Sequence, residues 1–225
     1  MCTVTYLPLG NNDFILTSNR DEQPSRGTLE PKEYLEDNVV LKYPKDILAG
    51  GTWIGMSSKN RLVCLLNGGF ESYVREASYR MSRGVIVKAI LKSDDFESDI
   101  NDFNFEGIEP FTIVFVDWNG DLKTYELVWD GKQKHYTKLK QEPKIWSSST
   151  LYTKEEKRLR NDWFAHWLKN NKDFKQEEIL KFHLNSDFGT PENSPKMKRS
   201  YVETVSITSV IKVGNTTTMS YLPFY

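Results

Sequence analysis

The sequence contains few cysteines and no long hydrophobic segment. No apolar run approaches the roughly 18 residues that cross a bilayer, and the first residues lack the basic and apolar parts of a secretory signal peptide. Cys2 and Cys64 are too few for a disulfide scaffold or a cysteine-based zinc site. Thirty Lys and Arg against 31 Asp and Glu exclude the basic excess of a general nucleic-acid-binding protein. We therefore expect a cytoplasmic protein with no membrane span and no nucleic-acid partner.

Metal-binding and serine-hydrolase motifs are also missing. The three histidines, His135, His166 and His183, are scattered and show no metal-ligand spacing. The Ser147-Ser148-Ser149 run has no Gly-x-Ser-x-Gly elbow around it. We expect neither a metal nor a cofactor.

Aromatic residues, in contrast, are abundant. The chain of 225 residues has six Trp, 11 Tyr and 12 Phe, a content that is typical of folded proteins and not of disordered ones. Its length suits one domain, 1–225, with a sizeable core. The sequence says nothing about the oligomeric state.

Hydrophobic periodicity predicts an α+β protein in which antiparallel hairpins dominate. Gly10–Asp13 and Asn119-Gly120 are hairpin-turn signals, the second of type I′, and the proline-containing stretch 20–48 is predicted as mostly irregular. The predicted strands are 2–8, 13–18, 52–57, 61–67, 111–117, 122–129, 133–139, 202–211 and 216–222. The predicted helices are 79–92, one that begins at the Thr153-x-x-Glu156 capping box, and 175–184.

Cys2 is the first residue with nucleophilic potential. Methionine aminopeptidases remove Met1 when the second side chain is small, and the product would carry a thiol and a free α-amine on one residue. The amine titrates near about 7.7–8.0 and can accept the thiol proton, so that no histidine is needed. Cys64 lies in an apolar strand and is interpreted as a core residue.

Three further segments place polar residues at the ends of predicted strands. Asn19-Arg20-Asp21-Glu22 is either a solvated turn or a charged group beside Cys2, in which Asp21 orients the amine. Trp53, in Gly50–Gly55, is interpreted as a core residue or pocket wall. Asn67 is either a turn residue or an oxyanion donor.

Together these segments resemble the NRDE family, which is related to the transport and Golgi organisation 2 family. The resemblance rests on Met1-Cys2, Asn19-Arg20-Asp21-Glu22 with Arg26, Gly50–Gly55 and Asn67, and it extends more loosely over the whole chain. The family is similar to N-terminal nucleophile (Ntn) hydrolases. The resemblance implies a four-layer αββα sandwich of two mostly antiparallel sheets.

The resemblance also implies site residues. Cys2 would be the nucleophile, Arg20 and Asp21 would flank it, Asn67 would form the oxyanion hole, and all four would converge on one cleft. Substrate-binding residues would be Asn19, Trp53 and Ser149. The related amidases place an Asn and an Arg where this chain has the serine-containing stretches 146–149 and 205–208.

Three functions remain open at this point. The chain could be an N-terminal cysteine amidase that acts on a carbon–nitrogen bond of a small molecule. It could instead be a non-enzymatic carrier or chaperone for haem or a similar small ligand. A third possibility is an interaction protein with a relic site.

Overall fold

The computed structural model describes residues 3–225. Within this range the chain forms two antiparallel sheets and four helices. Its internal contacts divide it into two compact units, one made of residues up to Ser25 together with Gln141–Tyr225, the other of Arg26–Lys140. The prediction of an α+β protein built from two antiparallel sheets is confirmed.

The first unit contains a five-stranded sheet in the order β10-β1-β2-β11-β12. Two helices pack on one face of this sheet and bury the apolar cluster formed by Leu7, Ile15, Phe164, Trp167 and Ile179. Its strands are β1 (Thr3–Gly10), β2 (Asp13–Glu22), β10 (Lys144–Ser147), β11 (Glu203–Val213) and β12 (Thr216–Pro223). Its helices are α3 (Lys154–Asn170) and α4 (Gln176–Leu184).

The second unit contains a seven-stranded sheet in the sequential order β3 to β9. Phe115, Tyr125 and Tyr136 stack across its strands, with ring centroids 4.9 and 5.5 Å apart. Its strands are β3 (Thr28–Glu36), β4 (Val39–Asp46), β5 (Ile54–Ser57), β6 (Arg61–Asn67), β7 (Phe111–Asp117), β8 (Lys123–Trp129) and β9 (Lys134–Leu139). Its helices are α1 (Arg83–Lys92) and α2 (Phe96–Asp102).

Several predicted elements are confirmed. The β1–β2 hairpin turns at Asn11 and Asn12, both with positive φ, as a type I′ turn requires. Helix α3 begins with the predicted capping box, in which Thr153 and Glu156 each bond the other's backbone N–H. Cys64 is fully buried in β6, as its apolar neighbours predicted.

Other predictions are wrong. The stretch 20–48 is not mostly irregular, because it forms β3 and β4 and extends β2 to Glu22. The turn at Asn119-Gly120 is not of type I′, since only Gly120 has positive φ and five residues join β7 to β8. Helix α1 begins at Arg83, later than predicted, with Ser82 as its N-cap. Helix α2 was not predicted.

Candidate functional site

The β1–β2 hairpin brings the predicted charged motif to the beginning of the chain. Thr3, the first residue of β1, pairs with Asn19, so Arg20 and Asp21 follow immediately beyond that pair on β2. Both are nearly fully buried, with 3% of each side chain exposed. Cys2, the predicted nucleophile, precedes Thr3 and lies outside the described residues.

Arg20 and Asp21 extend from opposite faces of the sheet, because side chains alternate along a strand. The Asp21 carboxylate accepts hydrogen bonds from the Thr204 hydroxyl at 2.7 Å and from the Tyr152 hydroxyl at 3.3 Å. Arg20 pairs with Ser206 of β11, on the face opposite α3 and α4. The two predicted residues are thus adjacent in sequence but belong to different side-chain environments.

Asn19 belongs to a buried polar network under α4. Its amide nitrogen donates to the carbonyl oxygens of His183 and Pro195, at 3.0 and 2.8 Å. Its amide oxygen lies 2.6 Å from Nδ1 of His183. These three bonds fix the amide, and the predicted substrate-binding role of Asn19 stays a prediction.

The bonds of Asn19 also determine the protonation state of His183. An amide oxygen only accepts, so His183 Nδ1 carries the proton and donates to it. Nε2 is then the acceptor for the Thr5 hydroxyl, 2.7 Å away. Complete burial, assisted by the charge of Arg160, lowers the His183 pKa from 6.5 to about 3, so the ring is neutral at physiological pH.

Arg160 on α3 connects the start of β1 to the rest of this unit. Its guanidinium donates to the hydroxyls of Thr3 and Ser147 and to the carbonyl oxygens of Asn193 and Ser194. It also lies over the Tyr152 ring, 4.1 Å from the centroid. Because Arg160 is 1% exposed, these bonds replace those it would make with water.

Ser149 follows β10 in a tight turn. It is 4% exposed, and the turn is closed by Ser148, whose carbonyl oxygen accepts from the Tyr152 amide at 3.0 Å. Ser149 therefore lies in the turn between Ser148 and Tyr152, and the Tyr152 hydroxyl bonds Asp21. Its predicted role in substrate binding stays a prediction.

The second unit holds the two remaining predicted residues. Asn67 ends β6 opposite Phe111 and is half-buried. The turn that follows it is tightly packed. The Gly68 amide donates to the Pro110 carbonyl oxygen, and a Cβ on Gly69 would lie 3.0 Å from the Asp130 backbone. This fixed strand end is compatible with either interpretation of Asn67, and the convergence of the four predicted catalytic residues stays a prediction.

Trp53 lies just before β5 and is 5% exposed, as either interpretation of it requires. Its carbonyl oxygen accepts from the Leu65 amide at 2.7 Å, which ties it to β6.

No sequence motif points to the residues that organise the first unit. Tyr152, Arg160, His183 and Thr204 bond residues of β1 and β2 that are 131 to 183 positions away. For His183, the sequence shows only the absence of metal-ligand spacing. Among residues 3–225 there is no group of three or more His, Cys, Asp or Glu that could hold a metal ion, and no described helix is long and apolar enough to span a membrane.

Comparisons with solved structures identify the fold. Over 93% of this chain and 92% of the other, it is similar to a Caenorhabditis elegans N-acylethanolamine-hydrolyzing acid amidase ortholog, at a TM-score of 0.63 and 11% identity. A variant of conjugated bile acid hydrolase from Clostridium perfringens matches over 99% and 92%, at 0.55 and 10%. Penicillin V acylase from Agrobacterium tumefaciens matches over 99% and 86%, at 0.56 and 11%. The fold is that of the Ntn hydrolases.

Sequence comparisons give the family. No curated protein matches significantly. The family model described as Transport and Golgi organisation 2 matches residues 1–219, which is nearly the whole chain. The chain therefore belongs to the Transport and Golgi organisation 2 family.

Proposed function

We propose that this protein is an N-terminal cysteine hydrolase that cleaves a carbon–nitrogen amide bond of a small molecule, with Cys2 as nucleophile after removal of Met1. The observation that carries the proposal is that two nearly fully buried charged residues, Arg20 and Asp21, directly follow Asn19, the β2 partner of Thr3. Charged residues are rarely buried to this extent, and buried ionisable groups are often found at functional sites. Cys2 directly precedes Thr3 in the sequence.

The proposed reaction proceeds in two steps, acylation of Cys2 and hydrolysis of the thioester. The Cys2 sulfur attacks the amide carbonyl carbon while the α-amine takes the thiol proton. The carbon–nitrogen bond then breaks, and the α-ammonium returns that proton to the leaving amine. Water hydrolyses the resulting thioester with the α-amine as base, which releases a carboxylic acid and restores the thiol.

The other predicted residues receive roles in this scheme. Asp21 accepts a hydrogen bond from the α-amine and orients it, while it keeps its bonds to Thr204 and Tyr152. Asn67 donates its amide to the developing oxyanion, a contact whose loss typically costs about 100- to 1000-fold in rate. Asn19, Trp53 and Ser149 are the proposed substrate-binding residues.

The test combines intact mass with turnover. Mass measurement shows whether Met1 is removed, and brief iodoacetamide treatment should add one carbamidomethyl group, on Cys2 and not on buried Cys64. A panel of N-acylethanolamines, bile-salt conjugates, penicillins and N-acyl amino acids then serves to measure turnover. Cys2→Ala should abolish turnover, since loss of a catalytic nucleophile can lower the rate about a millionfold.

Two control variants sharpen this test. Cys64→Ala removes the other thiol and should leave turnover unchanged. A glycine inserted between Met1 and Cys2 keeps the thiol but moves the free α-amine to another residue, so it should abolish turnover with the thiol still labelled. Absence of Cys2-dependent turnover, together with micromolar haem binding, would contradict the hydrolase and favour a carrier.

A further inference from the structure

Two buried hydroxyl groups on β11 lack a hydrogen-bond partner. Ser206 and Thr208 are each 1% exposed, and their side-chain oxygens make no hydrogen bond with any described residue. A buried polar group without a partner is destabilising, and most such groups in proteins are bonded. Two on one strand therefore require an explanation.

Both hydroxyls lie on the sheet face opposite α3 and α4, next to Arg20. Ser206 pairs with Arg20, and Thr208 pairs with Ser18 on β2. Residues directly opposite each other in an antiparallel pair share a face. We call these four residues, Ser18, Arg20, Ser206 and Thr208, the hydroxyl patch.

The hydroxyl patch occupies only one end of this face. Toward the other end of the same strands, the face is apolar, with Phe14, Leu16 and Val210 all fully buried. An apolar residue at position 206 or 208 would continue this pattern and leave no polar group unbonded. The polar residues are concentrated at the end of the sheet where β1 begins.

The other face of the same strands satisfies its hydroxyls. Thr17 and Ser209 are paired residues on the α4 side, and their hydroxyl oxygens are 2.9 Å apart. The Gln176 amide also donates to Ser209, at 3.0 Å. The geometry of β2 and β11 thus permits hydroxyl bonding, and the unbonded groups are confined to the hydroxyl patch.

We propose that Ser206 and Thr208 donate hydrogen bonds to a carboxylate oxygen of a ligand that binds beside Arg20. A hydroxyl can donate, so one acceptor group satisfies both Ser206 and Thr208, and the positive charge of Arg20 on the same face favours an acceptor that is anionic. Strands β1 and β11 are separated by β2, which puts their backbones about 10 Å apart.

This inference rests on the proposed function in one respect: the carboxylate would belong to the substrate or the product of the proposed hydrolase. Both oxygens are enclosed in the free protein, so the ligand enters through a local opening, as ligands do in many enzymes. Binding itself does not require Cys2 to react.

The test uses hexanoate and hexanamide, two probes of nearly equal shape that differ in charge. Thermal unfolding of the full chain is followed with increasing amounts of each probe, because a ligand that binds only the folded state raises the unfolding midpoint. Hexanoate should stabilise the wild-type protein and hexanamide should not. Ser206→Ala and Thr208→Val should each weaken the apparent affinity for hexanoate about tenfold, the usual effect of losing one hydrogen bond to a charged group.

Matched variants on the other face provide the control. Ser209→Ala and Thr17→Val remove the same groups from the same two strands and should leave the response to hexanoate unchanged. If hexanoate stabilises no better than hexanamide, or if the patch and control variants respond alike, the inference is overturned. The proposed hydrolase is judged separately by Cys2-dependent turnover, so either proposal can fail alone.

Discussion

The two faces of the five-stranded sheet bury polar residues in different ways. On the face that carries α3 and α4, Thr5, Asn19 and His183 form a continuous hydrogen-bonded network. On the opposite face, Ser206 and Thr208 are equally buried and have no hydrogen-bond partner among the described residues. Strand β11 itself carries a bonded hydroxyl, Ser209, on the helix-covered face and the two unbonded hydroxyls on the other, so the difference does not come from the strand backbone.

The comparison separates structural from functional polarity. A buried polar network that is fully bonded stabilises one conformation, because any rearrangement leaves a donor or acceptor unpaired. A buried polar group without a hydrogen-bond partner lowers the stability of the protein and does not fix a conformation in this way. We expect substitutions on the helix-covered face to change folding stability, and substitutions on the other face to change ligand binding.

The largest effect on the helix-covered face should come from Arg160. Arg160→Ala removes the donor shared by Thr3, Ser147 and two backbone carbonyl oxygens, and those acceptors stay buried. We expect a loss of at least about 3 kcal/mol in the free energy of unfolding, measured by urea denaturation with tryptophan fluorescence.

Arg158 on the same helix is the control for this substitution. Its side chain is 62% exposed and pairs with Glu155 and Asp162 at the surface. Arg158→Ala should therefore leave the denaturation midpoint nearly unchanged. Equal effects of the two substitutions would show that the guanidinium network does not hold the start of β1 in place.

The next effect is a dependence of stability on pH through His183. Burial lowers its pKa to about 3 in the folded protein, against 6.5 for the ordinary side chain. The unfolded chain therefore binds one more proton between these pH values, and stability falls as the pH is lowered. The contribution amounts to as much as about 1.4 kcal/mol per pH unit.

Urea denaturation at several pH values between about 6 and about 4 measures this slope. His183→Asn cannot titrate and should reduce the slope, although it lowers stability at every pH. His166→Asn, which replaces an exposed histidine, is the matched control and should leave the free energy of unfolding nearly unchanged. A slope that is unaffected by His183→Asn would mean that carboxylates dominate the acid response.

Local patterns were enough to predict many elements of this fold. The β7 strand was predicted with its correct bounds, because Phe111–Asp117 is an apolar run that is buried throughout. The β3 strand was missed because its residues are mostly exposed and include Pro31. It is the edge strand of its sheet, where proline is tolerated, and the register shifts between Leu29 and Lys32.

The candidate site shows where such patterns stop being informative. Asn19, Arg20 and Asp21 form a contiguous motif at a strand end, so the sequence alone could single them out. His183 could not be assigned, because its partner Thr5 is 178 residues away and only the pairing of α4 with the sheet brings them together. Nothing in the residues around Ser206 and Thr208 distinguishes their unbonded hydroxyls from those of Thr17 and Ser209.

The smallest expected effect compares the bonded hydroxyls of Thr17 and Ser209 with the unbonded hydroxyl of Thr208. Thr17→Val and Ser209→Ala each remove the 2.9 Å hydrogen bond between these two buried hydroxyls and should each destabilise the protein by about 1 kcal/mol. The double variant removes both polar groups, so its loss of stability should be smaller than the sum of the two single losses.

In contrast, Thr208→Val removes a hydroxyl that bonds no described residue and should leave stability unchanged or slightly higher. Urea denaturation of the four variants decides the comparison, since a loss for Thr208→Val equal to that for Thr17→Val would mean that its hydroxyl is bonded in the free protein, by an ordered water for example, and that the two faces do not differ.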